Sequence, residues 1–240
     1  MNVSHVPSTT RRTAAELREL ATLAGPELEL APAELIVEWA VKTFGERFCV
    51  TSSMGDAVLA HLASRVAPGI DVLFLDTGYH FVETLGTRDA AAASLPINLI
   101  TVTPELSVAE QDQKHGRSLH ARDPDTCCTL RKVAPLRRSL AEYDAWATGL
   151  RRAETRDRVI APVVGWDDDK GKVKVSPLAR WSDDDLTRYI DENDVLVNPL
   201  SYDGYPSIGC WPCTRRVAPG EDPRSGRWAG TAKTECGIHA

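Results

Sequence analysis

A chain of 240 residues is long enough to bury a full core without disulfide staples, and its net charge of −6 excludes a general nucleic-acid-coating role, which needs a basic face. No apolar run reaches membrane-spanning length, and the polar start through Pro7, Arg11 and Arg12 lacks the apolar segment of a secretory signal, so a cytoplasmic protein with no membrane partner is expected. In that reducing setting, clustered cysteines point to metal binding or thiol chemistry rather than disulfides.

Leu17, Leu20 and Leu23 recur at helical spacing from Thr13, and Gly25-Pro26 should end that helix. A second helix is expected from Pro32, carrying Leu35, Ile36, Trp39 and Phe44 inward before Gly45. Residues 47–51 read as a buried strand that passes through Ser52-Ser53-Met54-Gly55-Asp56 into a helix over 57–66. Strand, small-residue loop and helix start together form an anion site, because backbone N–H groups and the helix dipole converge there; the same pattern also describes an ordinary strand-to-helix turn. Cys49, mid-strand, reads as a small buried residue rather than a ligand.

A strand over 72–75 leads into Asp76-Thr77-Gly78, followed by a helix over 81–93 and a strand over 97–102. This repeated β-α-β spacing predicts an α/β fold with a doubly wound, mainly parallel sheet. Right-handed crossovers would bring the strand ends, and residues 76–78 with them, to the rim where such sheets bind ligands. Residues 107–115 predict a short helix and 116–125 an irregular stretch. Asp125 or Thr126 should cap a helix carrying Cys127-Cys128-Thr129-Leu130-Arg131-Lys132-Val133. A helix start favours thiolates, and Lys132, one turn beyond Cys128, would hold its charge beside whatever the cysteines bind.

Residues 144–148 form a further strand, with Arg151, Arg152 and Arg156 beyond its end, a residue type that grips phosphate or sulfate bidentately. Residues 159–164 and 172–175 read as an edge hairpin around a solvated acidic turn, and Ser182 caps a helix through Leu186, Tyr189 and Ile190. From Asn198 onward Gly, Pro and aromatic residues replace periodic structure. The chain thus divides into N-terminal helices (1–45), an α/β body (46–197) and a cysteine-rich tail (198–240), forming one structural unit.

Cys127-Cys128 and Cys210-x-x-Cys213 supply four soft ligands that suit either zinc or an iron–sulfur cluster. Adjacent side chains reach two corners of a cubane more easily than one small ion, which favours the cluster. Cys236 is left over: a spare thiol, or a thiolate activated by the basic residues near it.

Five stretches carry a resemblance. Cys127-Cys128-x-x-Arg131-Lys132-Val133, Trp146-Ala147-Thr148-Gly149-x-Arg151-Arg152, Tyr205-Pro206-Ser207-Ile208-Gly209-Cys210-x-Pro212-Cys213-Thr214-Arg215, Gly226-Arg227-Trp228 and Glu235-Cys236-Gly237-Ile238-His239 resemble the bacterial assimilatory sulfonucleotide reductases of the iron–sulfur type, which act on adenosine 5′-phosphosulfate. The resemblance implies a fold related to the PP-loop, adenine nucleotide alpha hydrolase-like proteins. Ser52-Ser53-Met54-Gly55-Asp56-Ala57 departs from the Ser-Gly-Gly-x-Asp-Ser loop of the ATP-using relatives, so nucleotide binding without ATP hydrolysis is expected. It further implies a [4Fe-4S] cluster on Cys127, Cys128, Cys210 and Cys213, and a Cys236 nucleophile discharged by reduced thioredoxin or a glutaredoxin-like donor. Lys132, Arg156, Arg224, Arg227 and His239 are the implied cations for the substrate anions, with Ser52, Ser53, Gly55, Asp76, Thr77 and Gly78 facing the nucleotide. Users of the 3′-phosphorylated substrate generally lack the four cysteines, which makes that nucleotide the alternative. A non-catalytic iron–sulfur or zinc nucleotide sensor would explain the four cysteines but give Cys236 no role. A homo-oligomer stays open.

Overall fold

The computed structural model describes residues 11–231 and 233–238. Six strands form one sheet in the order β3-β2-β1-β4-β6-β5, comprising β1 (Phe48–Thr51), β2 (Ile70–Leu75), β3 (Ile97–Val102), β4 (Ala145–Ala147), β5 (Val164–Asp167) and β6 (Lys172–Val175). All pairings are parallel except the β5–β6 hairpin at the edge. Both faces are covered, and alternation along each strand divides its side chains between two apolar clusters. Val50, Val72, Phe74, Ala147 and Val173 join the large cluster, while Cys49, Leu73 and Trp146 join the smaller one on the opposite face. Cys49 is fully buried, and burial raises its pKa well above the usual thiol value, so it behaves as a small core residue.

The large cluster is closed by α1 (Ala14–Leu28), α2 (Ala33–Phe44), α3 (Val58–Val66) and residues of α9 (Asp183–Asn193). Helix α1 runs to Leu28 with Pro26 inside it, five residues past the expected end at Leu23. Gly25 explains why: a Cβ there would lie 2.8 Å from the Val164 carbonyl oxygen, so glycine lets the helix end lie directly on β5, and this packing outweighs the hydrogen bond lost at Pro26. In α2, Pro32 is the N-cap rather than the first helical residue, and Leu35 is 50% exposed; Val37 and Ala40 fill the core beside Ile36 and Phe44. The expected hairpin begins at Val164, not 159. Its turn is only partly solvated, since Asp167 and Lys170 are buried as an ion pair of 3.1 Å.

On the other face, one continuous helical stretch follows α4 (Val82–Ser94), α5 (Val108–His115) and a short α6 (Leu119–Arg122) that lies within the segment expected to be irregular. The stretch comprises α7 (Pro124–Cys128), a π turn over Thr129–Val133 and α8 (Ala134–Ser139). Its cap is Asp123, two residues before the expected Asp125, accepting from the Thr126 amide at 2.9 Å, with Pro124 at the first helical position. In the π turn the Ala134 amide donates to Thr129, five residues back, and the widened turn sets Cys127-Cys128 at one end and Leu136 and Leu140, core residues, at the other.

Candidate active site

Parallel strands bring their carboxyl ends to one rim, and the loops after β1 and β2 lie there. After β1, Met54 turns the chain at φ +57°, the Ser52 hydroxyl accepts from the Met54 amide at 3.3 Å, and the Asp56 carboxylate accepts from the Val58 amide at 3.0 Å at the start of α3. Buried Asn198 braces this loop from behind, donating to the Met54 carbonyl and the Thr84 hydroxyl at 3.0 Å each, while its amide donates to Gly55. Ser53 is exposed, with Ser52 and Gly55 half-buried.

After β2, Asp76 accepts from the Gly78 amide at 2.9 Å and faces Arg88 at 3.8 Å. Thr77 is buried, and its hydroxyl lies 3.3 Å from the Cys210 sulfur. Arg131 fixes this loop: its Nε donates to the Thr77 carbonyl, and its Nη1 to Leu106 O at 3.3 Å and Gln111 Oε1 at 3.0 Å. Gly78, at φ +71°, makes room for that guanidinium, which would lie 3.1 Å from a Cβ. The Trp211 amide donates to the Tyr79 carbonyl at 2.8 Å, so the same loop pins the Cys210–Cys213 turn.

Cys127, Cys128, Cys210 and Cys213 line one pocket with Tyr79, His120, Arg131, Lys132, Arg227 and Trp228. Burial pushes the Cys127 pKa up to about 11, with Cys210 and Cys213 adding like-charge repulsion; burial also raises Cys213. Buried thiols that resist ionisation, and repel one another once ionised, are what a cationic centre would relieve. Two buried nitrogens of residues that line this pocket, His120 Nδ1 and Arg227 Nε, lack a hydrogen-bond partner among the described residues. Four soft sulfurs around one pocket, with two unpartnered buried nitrogens beside them, fit a sulfide-bearing cluster, which would supply the missing acceptors.

The tail closes over this pocket. Cys236 hydrogen-bonds with Cys128, and that bond, opposed by burial and aided by the Lys132 ammonium, the Ile238 amide and Arg227, holds the Cys236 thiol well below its ordinary pKa. Burial works against the Lys132 charge, but the sulfurs of Cys210, Cys236 and Cys128 outweigh it and raise its pKa. Arg227 stacks on Trp228 at 4.5 Å and donates to the Ile208 carbonyl at 3.2 Å; Gly209 leaves the space its guanidinium fills, which would come within 2.2 Å of a Cβ. Arg224 Nη2 donates to the Thr234 carbonyl at 3.2 Å.

The structure therefore gathers the five cysteines, Lys132, Arg224 and Arg227 around the tail and puts Ser52, Ser53, Gly55, Asp76 and Gly78 on the strand-end rim. It turns Thr77 toward Cys210. Arg156 is exposed and has no ion-pair partner among the described residues, because its short helical turn (Arg156–Arg158) points it outward. Arg158 points inward instead, pairing with Glu235 beside the nucleophile candidate at 2.8 Å. Arg152 is bound to Glu29 at 2.6 Å and Arg151 to Asp183 at 2.8 Å, so neither is available to an anion at the rim. His239 lies outside the described residues. Sequence reasoning missed Arg158, and only the spacing of arginines after Trp146 carried any signal for it. It quoted Arg131 without a role, since a partner 54 residues away is invisible locally.

Residues 47–216 match the family model described as the phosphoadenosine phosphosulfate reductase domain. The chain is 63% identical over 228 residues to an adenosine 5′-phosphosulfate reductase of Streptomyces coelicolor, covering 95% of this chain and 97% of that protein. It is 56% identical over 230 residues to the enzyme of the same name from Mycolicibacterium smegmatis, covering 96% and 98%. Among solved structures, a phosphoadenylyl-sulfate reductase from Candida auris in a phosphate complex superposes with a TM-score of 0.70 at 28% identity, covering 88% of this chain and 100% of that one.

Proposed function

The chain belongs to the phosphoadenosine phosphosulfate reductase domain family, among its adenosine 5′-phosphosulfate reductases, and on that premise we propose that it is an oxidoreductase reducing adenosine 5′-phosphosulfate to sulfite and AMP in sulfate assimilation. The observation that carries this reading at the site is the placement of Cys236 in the tail that closes over the four-cysteine pocket, beside Lys132 and Arg227.

The nucleotide sits on the loops after β1 and β2, with Ser52, Ser53, Gly55, Asp76 and Gly78 against it. Lys132 and Arg227 neutralise the phosphosulfate so that an anionic thiolate can approach an anionic substrate, Arg224 being already engaged by the Glu235 carboxylate at 3.2 Å. The Cys236 sulfur attacks the sulfuryl sulfur: an S–S bond forms, the S–O bond to phosphate breaks, and AMP leaves with the bonding pair. The product on the enzyme is an S-sulfocysteine. A reductant protein carrying a dithiol, reduced thioredoxin or a glutaredoxin-like donor, attacks the Cys236 sulfur and expels sulfite. Its second thiol then resolves the mixed disulfide, so both electrons come from the dithiol. Cys127, Cys128, Cys210 and Cys213 would hold a [4Fe-4S] cluster, which when bound would supply fixed charge beside Lys132. Thr77, His120 and Arg227 would serve as its surrounding donors.

The likeness to a phosphoadenylyl-sulfate reductase supports one competitor, the 3′-phosphorylated nucleotide. Intact-protein mass spectrometry after anaerobic incubation with each nucleotide tests both. One SO₃ adduct on Cys236 from the unphosphorylated nucleotide, removed as sulfite by reduced thioredoxin, is the expected result. An iron-loaded protein that forms no adduct with either overturns the thiol mechanism.

A further inference from the structure

Residues 233–238 contribute no helix or strand, and none of them makes a backbone–backbone hydrogen bond among the described residues. What holds this segment is side-chain chemistry. Glu235 Oε1 accepts from Arg158 Nε at 2.8 Å and Oε2 from Arg158 Nη2 at 2.9 Å, a two-point carboxylate–guanidinium pair. Arg224 Nη2 reaches the same carboxylate at 3.2 Å, and the Thr155 hydroxyl approaches at 3.5 Å. The side chains are 22% exposed for Glu235, 10% for Arg158 and 15% for Arg224, so these pairs are far better shielded than ordinary surface ion pairs. Arg158 is itself braced by Glu154. A second clamp, Lys233 to Asp125, ties the tail to α7, and Ile238 packs on the smaller apolar cluster.

We propose that Glu235 is the positioning residue for Cys236: its carboxylate, bound by Arg158 and Arg224, latches the tail closed with the Cys236 sulfur at the cysteine pocket. The inference rests on Cys236 being the nucleophile proposed above. Latch and sulfur sit on consecutive residues, so play in the first becomes displacement of the second. Opening the tail leaves Arg224 without its carboxylate and Arg158 with Glu154 alone, which makes the closed position the resting one. The two half-reactions ask for opposite positions: the thiolate attacks substrate with the tail closed, and the dithiol partner reaches the S-sulfocysteine with it open. The latch therefore speeds the first half-reaction at the expense of the second.

Glu235→Gln, compared with Glu235→Asp in iron-loaded protein of matched iron content, tests this. Amide exchange across 233–238 should quicken roughly ten- to hundredfold in the Gln variant, as expected for losing a charge-assisted pair. Single-turnover adduct formation on Cys236 should slow by a similar factor. Sulfite release by reduced thioredoxin from isolated S-sulfo-enzyme should stay equal or become faster, and the Asp variant should fall between. Arg158→Gln should reproduce the Gln phenotype, and the double variant should be no worse than either single. Unchanged exchange with unchanged adduct formation overturns the latch, and so does a parallel fall of both half-reactions. If the unsubstituted protein forms no adduct, the proposed reaction fails, while amide exchange still reads the latch on its own.

Discussion

In the sheet, neighbouring residues of one strand divide between two dry clusters, Val50 to one face and Cys49 to the other, whereas the tail's anchors are charges and sulfurs, with Ile238 the apolar exception. The first arrangement is non-directional, spread over dozens of buried side chains and indifferent to ionic conditions. The second rests on a few directional contacts that can be made and broken within a catalytic cycle. The reaction proposed above, with a fixed substrate platform and a moving nucleophile, would need both kinds, in separate places.

Replacing Cys236 by Ser should strike the tail alone. Turnover should fall by at least about 10⁴-fold, as when a covalent nucleophile is removed, with iron content and melting temperature unchanged. Loss of iron in that variant would show that Cys236 is a ligand. Leu62→Ala should do the reverse. Leu62 is 1% exposed in α3 and belongs to the large apolar cluster, and the truncation should cost about 2–5 kcal/mol in denaturant titrations while amide exchange across 233–238 keeps its rate under native conditions.

Lys174 marks where the two regions meet, since it lies 5.6 Å from the Trp146 ring centroid and has no hydrogen-bond or ion-pair partner among the described residues. Burial lowers its pKa to about 8, with Asp167 opposing and Lys170 and Arg158 reinforcing the shift. Below that value the folded protein carries a half-buried, partly desolvated charge. Between about 8 and 10.5 the unfolded chain holds the proton and the folded one does not, so stability should rise with pH through that window. Lys174→Met should add about 1–3 kcal/mol at pH 7 and abolish that rise, measured by melting at stepped pH. Arg156→Ala should do least: with an exposed, unpaired side chain, stability should stay within about 0.5 kcal/mol and KM should not move. A tenfold rise in KM would return Arg156 to the anion site.

The body was readable because its signals are local. The strand at 97–102 and the cap at Ser182 stand in the structure where periodicity and cap chemistry put them, and the short helix expected over 107–115 forms with a Ser107 capping box. Errors fell where tertiary contact overrode a local rule: Gly25-Pro26 breaks helices in general, but here glycine buys contact with Val164 and the helix runs on. The site was legible as residue types at telling spacings, and the cysteines could be grouped without coordinates. Its supporting contacts were not: Arg131 finds Thr77, Arg158 finds Glu235 77 residues on, and Asn198 finds Met54, pairings that no sequence window contains.

The π turn at Thr129–Val133 acts as a phase shim. An ordinary α-helix advances about 100° per residue, so removing one residue from this turn, restoring regular winding, would rotate Cys127-Cys128 about a quarter of a revolution relative to Leu136 and Leu140. With the core end held by the sheet, the cysteine pair would swing off the pocket it shares with Cys210 and Cys213; with the cysteines held, the leucines would leave their cluster. A single-residue deletion there should be far worse than any substitution in the same five positions, because it changes angular registry rather than chemistry.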